Sequence, residues 1–247
     1  MSIWQDPARP GFAAELDPDI GTLHSAEYRN PAQLRDGDVL VVGAANSGAE
    51  IALDLASTHR VWLSGRHPGQ VLFRPDGLLA RLGLVRLVLR FVFHRVLTNR
   101  TPPGRKLREY LKRHGWILVR TKLADLEAAG VQRIGRVTGI RDGRPQLEDG
   151  RVLDVAGVVW ATGYRPGWSW IDLPVFDDDG YPVHRRGIAT AEPGLAFVGF
   201  PFVRAASGAM IHGLWTDARH IAEHIATRDA GGRRAAPAGS AAARVAD

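Results

Sequence analysis

The chain has 247 residues, a length that fits one large domain or two small ones. Hydrophobic residues make up 45% and charged residues 23%, which excludes a disordered or collagen-like polymer, and the absence of cysteine excludes disulfide scaffolds, thiolate metal sites and a cysteine nucleophile. The net charge of +6 is unevenly spread: between Arg60 and Arg120 there are fourteen Lys or Arg against Asp76 and Glu109 only. Such a surplus points to an anionic partner: a phosphate-bearing cofactor, an acidic lipid surface or nucleic acid. It is also what arginine-rich codon usage produces, since Arg (29) far outnumbers Lys (3). The segment Met1 to Pro7 has no basic n-region and no apolar run, so a cytoplasmic protein is expected.

Residues 1–30 are rich in Pro, Gly and Asp and read as extended chain and turns. Asp38 to Gly43 is a short apolar run ending in glycine, the pattern of a buried parallel strand. Ala44 to Ala56 suits a helix packed on that strand, and Arg60 to Ser64 is a second strand. Strand, glycine turn, helix and strand within about 30 residues make a βαβ unit. Leu78 to Leu97 is apolar but carries Arg81, Arg86, Arg90 and Arg95, which excludes an ordinary membrane span. It reads as an amphipathic basic helix, either covering the core or lying on an anionic membrane, and peripheral membrane contact through 78–113 is one expectation. Thr101-Pro102-Pro103-Gly104 breaks the chain, and Arg105 to His114 forms another basic helix.

Trp116 to Val119 and Val131 to Ile134 read as strands, and Val137 to Val155, with turns at Asp142-Gly143 and Asp149-Gly150, as a small antiparallel meander. Val155 to Trp160 is a buried strand entering Ala161-Thr162-Gly163-Tyr164. Asp177 to Gly180 is a hairpin turn, Leu195 to Gly199 another buried strand, and Ser207 to Ala226 contains a helix. From Arg228 the Ala/Gly/Arg-rich tail reads as disordered. The basic stretch lacks a helix-turn-helix or aromatic RNA-binding signature, so no nucleic acid is expected. No metal site is expected either.

Gly43-Ala44-Ala45-Asn46-Ser47-Gly48 stands where a dinucleotide fingerprint, G-x-G-x-x-G, belongs, with Ala45 at the middle glycine. The first glycine makes the tight turn, the middle one lets backbone approach a pyrophosphate, and the third lets helix and strand pack closely. The helix N-terminus supplies N–H groups and partial positive charge. Asn46 and Ser47 are also residue types that favour a helix start without any ligand. The next strand selects the nucleotide: an NAD site needs a carboxylate there, an NADP site a cation. The chain has Ser64-Gly65-Arg66, so NADP(H) is expected, with Arg66 on the 2′-phosphate and Ser64 as a further donor.

Taken in order, His24 to Pro31, Val39 to Glu50, Ser64-Gly65-Arg66, Ala161-Thr162-Gly163-Tyr164 and Gly194 to Pro201 resemble flavin-containing monooxygenases, over about Phe12 to Ile225. The resemblance implies an α/β fold: a Rossmann-like three-layer NADP-binding domain with a small antiparallel meander, plus a partial FAD-binding domain. It places a linker and partial FAD-domain segment at 1–31, the NADP(H) domain at 32–155, the C-terminal part of the FAD domain at 156–227 and a disordered tail at 228–247. It implies an NADPH- and FAD-dependent monooxygenase or oxidoreductase that uses O₂ to oxygenate a small organic substrate. The cofactors carry such chemistry, so few catalytic side chains are needed. Gly43, Ala44, Ala45, Asn46, Ser47, Gly48, Ser64, Gly65 and Arg66 are the expected NADP(H) contacts, and Ala161, Thr162, Gly163 and Tyr164 the crossing beside flavin and nicotinamide.

Nothing before Asp38 matches the family's first strand–GxGxxG–helix, which holds FAD. Three explanations follow: the chain is a fragment or the product of a mis-started gene, a partner chain supplies that half, or flavin has been lost; turnover by this chain alone is not expected. The alternative is a non-enzymatic NADP(H)-binding module or remnant. His24 reads as a structural hydrogen-bonder, and Asp217 as either a carboxylate facing a flavin edge or a solvated helix residue.

Overall fold

Four consecutive apolar residues, Val39 to Val42, suit a strand covered on both faces. The computed structural model, which describes residues 5–71 and 91–235, places them at the centre of a parallel sheet. In chain order the strands are β1 Asp6–Pro7, β2 Gly21–His24, β3 Asp38–Val42, β4 Arg60–Ser64, β5 Gln132–Ile134, β6 Val137–Arg141, β7 Arg144–Leu147, β8 Gly157–Trp160, β9 Tyr164–Arg165, β10 His184–Arg185 and β11 Ile188–Ala189. The helices are α1 Asn46–Leu55, α2 Pro102–His114, α3 Leu123–Ala128 and α4 Ile211–Ala235. Five strands form one parallel sheet in the order β2-β8-β3-β4-β5.

Strand alternation divides the core into two layers. Val39 and Val41 pack with Ala49, Ala52 and Leu55 of α1 and Leu126 of α3. Leu40 and Val42 pack on the other face with Val137 and Leu147 of the β6–β7 hairpin and with Trp160. Helices, sheet and hairpin are the three layers expected. Trp160 is fully buried; its indole N–H donates to Thr22 Oγ1 at 2.8 Å, and Phe12 meets its ring edge-on at 6.1 Å. A tryptophan interior to a protein needs such a partner for its one donor.

The described residues fall into two compact units, one from 5–71 and 106–170, the other from 91–105 and 171–235. Strand β2, in a segment read as extended chain and turns, pairs with β8, and both lie in the flanks expected to belong to the FAD domain; the pairing of β8 with β3 joins those flanks to the expected NADP(H) domain in one parallel sheet. Four residues are too short to show a strand pattern by themselves. In the second unit the β10–β11 hairpin packs over a small core that includes Val175, Phe197, Phe200, Val203 and Ile221. The rings of Phe176, Phe197 and Phe200 meet edge-on at 6.2 and 6.5 Å.

Several local expectations change. Trp116 to Val119 forms one bridge, Gln70 to Leu118, in place of a strand. Leu195 to Gly199 likewise forms one bridge, Ile188 to Ala196: it buries Phe197 while Val198 faces outward, and no ladder follows. The prolines at 102 and 103 open α2, because the first helical turn needs no intrahelical N–H donors. Helix α4 continues to Ala235, so 228–235 is helical where a disordered tail was expected; 236–247 lies outside the described residues. Of the basic helix expected at 78–97, residues 78–90 lie outside the described residues, and Val92–Val96 forms one π-helical turn. Among the described residues no helix is long and apolar enough to cross a membrane, and no cluster could hold a metal ion.

Candidate cofactor site

The site grows from the carboxyl ends of β8, β3 and β4. These are neighbours in the sheet, with Val42 opposite both Trp160 and Ser64. The ladder runs one residue further on each side: Gly43 N–H donates to Ser64 O at 2.8 Å, and Ala161 N–H to Val42 O at 2.8 Å. After β3 the chain crosses through α1 to β4 on one side, whereas β8 lies on the other. Open α/β sheets bind ligands beyond the strand ends at such a reversal. The expected segments 43–48, 64–66 and 161–164 all converge there.

The glycines of the first turn answer to contacts. Gly43 has φ +112°, and a Cβ there would overlap the Ala161 carbonyl oxygen. A Cβ on Gly48 would overlap the Gly43 carbonyl oxygen, so the third glycine allows α1 to start directly against the turn. Ala45 is the N-cap of α1, in extended backbone with no side-chain cap bond. The first-turn N–H groups therefore meet no side-chain acceptor, and Ser47 beside them is exposed. Uncapped N–H groups at the end of a ten-residue helix bind an anion well. Ala44 is buried and Ala45 half-buried, so one methyl stands where the middle glycine usually leaves backbone bare.

Two of the expected ligands have side chains engaged by the protein's own backbone. The Asn46 Nδ2 donates to Ile117 O at 2.9 Å, and its Oδ1 accepts from Val119 N–H at 3.0 Å. This amide pairs with the 117–119 segment as a neighbouring strand would, which is why that segment needs only one bridge. It does not cap α1. Ser64 is buried, its hydroxyl donating to Gly135 O at 2.8 Å and accepting from Val137 N–H at 3.1 Å. It ties β4 to the start of β6 and has no donor left for a phosphate.

Arg66 is exposed beyond β4, with no carboxylate in the Ser64-Gly65-Arg66 stretch. Arg133 on β5 contributes to the same electropositive edge: with burial, its charge holds the His67 imidazole below its ordinary range. Arg133 was not visible as a site residue, because its place beside β4 depends on long-range pairing.

On the β8 side, Thr162 donates from Oγ1 to Ala8 O, and Ala8 N–H donates to Gly163 O at 3.0 Å. Gly163 O also meets His24 Nε2 at 3.0 Å. Ala26 N–H donates to His24 Nδ1 at 3.1 Å, so Nδ1 is unprotonated and Nε2 is the donor. Burial accordingly holds the His24 pKa below its usual value. His24 is the structural hydrogen-bonder expected, and Tyr164 packs edge-on against it at 5.2 Å. Thr162 itself is exposed.

Asp217 was expected to be solvated or at a flavin edge; it is buried on α4, with Arg204 Nε 3.7 Å from its Oδ1. Burial pushes its carboxyl above the ordinary range, against the opposing fields of Arg204 and Arg186.

The sequence profile of the flavin-binding monooxygenase-like family matches residues 18–102. An uncharacterised oxidoreductase, CzcO-like, of Geobacillus kaustophilus is 31% identical over 233 residues, covering 90% of this chain and 62% of the relative. The probable indole-3-pyruvate monooxygenase YUCCA3 of Arabidopsis thaliana is 29% identical over 252 residues, covering 89% and 54%. Among solved structures, the flavin-containing monooxygenase from Stenotrophomonas maltophilia superposes with a TM-score of 0.63 at 20% identity, covering 91% of this chain and 60% of that one, a likeness of fold. The chain spans about three-fifths of the length of the CzcO relatives it matches.

Proposed function

We propose that the chain is a member of the flavin-binding monooxygenase-like family, whose profile matches residues 18–102, and that it is an NADPH-using, FAD-dependent monooxygenase or oxidoreductase that oxygenates a small organic substrate with O₂. The observation that carries this reading is the convergence of the 43–48, 64–66 and 161–164 segments at the carboxyl ends of neighbouring strands of the parallel sheet, with an uncapped helix N-terminus and a cationic β4 edge. In this reading the first-turn N–H groups of α1 hold the NADP(H) pyrophosphate, and Gly43 and Gly48 let the backbone come close enough to do so. Arg66 forks onto the 2′-phosphate, where a carboxylate would repel it. Asn46 and Ser64 act one step back, holding the 117–119 segment and the β4 end in place.

The flavin is assigned to the β8 side, where Thr162 is exposed beside the left-handed Gly163 and His24 fixes the turn through the Gly163 carbonyl. When bound, FAD supplies the redox chemistry between NADPH and O₂. The protein's own part is to orient the two cofactors.

The test is the visible spectrum of the purified chain after incubation with excess FAD and desalting, followed by anaerobic addition of NADPH. A retained flavin band bleached by NADPH supports the reading. A colourless protein that still binds NADPH replaces it with a non-enzymatic nucleotide-binding module.

A further inference from the structure

The second unit contains a cavity of about 370 Å³ whose wall includes Asn99, Arg100, His184, Arg185, Arg186 and Arg204. Three separate stretches of chain build it, and each is fixed in place. Residues 98–100 are stitched to 202–205 by the Thr98–Ala205 bridge, by Asn99 N–H donating to Arg204 O at 3.0 Å and by Asn99 Nδ2 donating to Phe202 O at 2.6 Å. The β10–β11 turn presses Gly187 against the core so closely that a Cβ would sit 2.6 Å from Phe197 O.

That turn has Arg186 and Gly187 at φ 54° and 91°, a geometry that favours asparagine followed by glycine. An arginine held in left-handed backbone costs conformational energy, which points to a use for its side chain. Among the described residues, Arg100, Arg185 and Arg186 have no ion-pair partner, and Arg204 has only the buried Asp217. Arg204 Nε is also a buried donor without a hydrogen-bond partner.

We propose that this cavity binds a phosphate-bearing ligand, with Arg100, Arg185, Arg186 and Arg204 as its donors. Three exposed guanidiniums and the half-buried Arg204 stand around the cavity near one carboxylate, Asp217, whose burial weakens it as a counter-charge; such a surplus of positive field favours a multiply charged anion. A planar carboxylate accepts guanidinium forks in one plane. A tetrahedral phosphate accepts them from several directions, as three converging chain stretches require. The lining residues all belong to the second unit and none is a residue assigned above to NADP(H), so the proposal stands or falls independently of that function.

The experiment is calorimetric titration of the full chain with sodium pyrophosphate at constant ionic strength, beside the variants Arg186→Asn, Arg100→Gln and Arg66→Ala. Arg186→Asn suits the left-handed turn, so it is expected to keep the melting temperature while weakening pyrophosphate by about tenfold, the loss of one charge-assisted hydrogen bond. Arg100→Gln is expected to weaken it similarly, and Arg66→Ala to leave it unchanged. Displacement of pyrophosphate by FAD or by NADPH, lost in Arg186→Asn, supports the site and names a dinucleotide as the source; displacement by neither supports a separate small phosphate compound. Absence of pyrophosphate binding overturns the proposal. So does undiminished binding in Arg186→Asn and Arg100→Gln, loss confined to Arg66→Ala, or succinate binding as tightly as pyrophosphate.

Discussion

Replacing Ser64 by alanine separates position from role. By sequence Ser64 stands at the strand end that meets a nucleotide, yet its buried hydroxyl is engaged by Gly135 O at 2.8 Å and Val137 N–H at 3.1 Å. Ser64→Ala removes both bonds at once and leaves one backbone acceptor and one backbone donor unpaired in the interior. Each orphan costs roughly 1–3 kcal/mol, and because water can relieve part of this, about 3 kcal/mol for the pair is the expectation. For a chain of this size a melting temperature moves roughly 2–4 °C per kcal/mol, so calorimetry or circular dichroism is expected to show a fall of roughly 6–12 °C. NADPH affinity, measured by fluorescence titration well below the transition, is expected to stay within about twofold of the parent. An unchanged melting temperature combined with a tenfold loss of NADPH affinity would refute the reasoning and restore Ser64 as a ligand.

Arg66→Ala is expected to do the opposite: stability holds, while NADPH weakens by about tenfold or more and NADH does not, as competitive titration reads directly. Equal weakening of both nucleotides contradicts the 2′-phosphate assignment. Gly48→Ala forces α1 away from the Gly43 carbonyl, so it is expected to cost about 3 kcal/mol or more and to abolish NADPH binding; a stable variant that still binds NADPH refutes that packing argument. His24 gives a pH signature. Its folded pKa lies below the ordinary 6.5, so the unfolded chain binds the extra proton first. The stabilisation is complete above pH 6.5 and declines as the pH falls toward the folded value. His67 and His220, also lowered, act in the same direction, so His24→Gln is expected to reduce the acid-side slope of stability without flattening it. An identical slope in the variant sinks the assignment.

What the sequence announced was what near neighbours along the chain decide. The run Val39 to Val42 is apolar throughout and cannot leave a face in water. The glycines at 43 and 48 are spaced for a strand-to-helix turn, and the stretch 64–66 lacks a carboxylate. Each of these is local chemistry, and each lies in the fold where its pattern implied.

The tertiary structure decided everything that depends on which distant backbone a side chain meets. Gly21 to His24 became a sheet strand because β8, more than a hundred residues later, pairs with it. Asn46 and Ser64 look like ligands from their positions, but unpaired backbone at 117–119 and at 135–137 claims their polar atoms first. Asp217 reads as a solvated helix carboxylate until the second unit closes around it and sets Arg204 beside it. A sequence displays the donors and acceptors a chain carries; only the folded chain shows which are already paired and which remain free for a ligand, because burial makes every unpaired polar group costly.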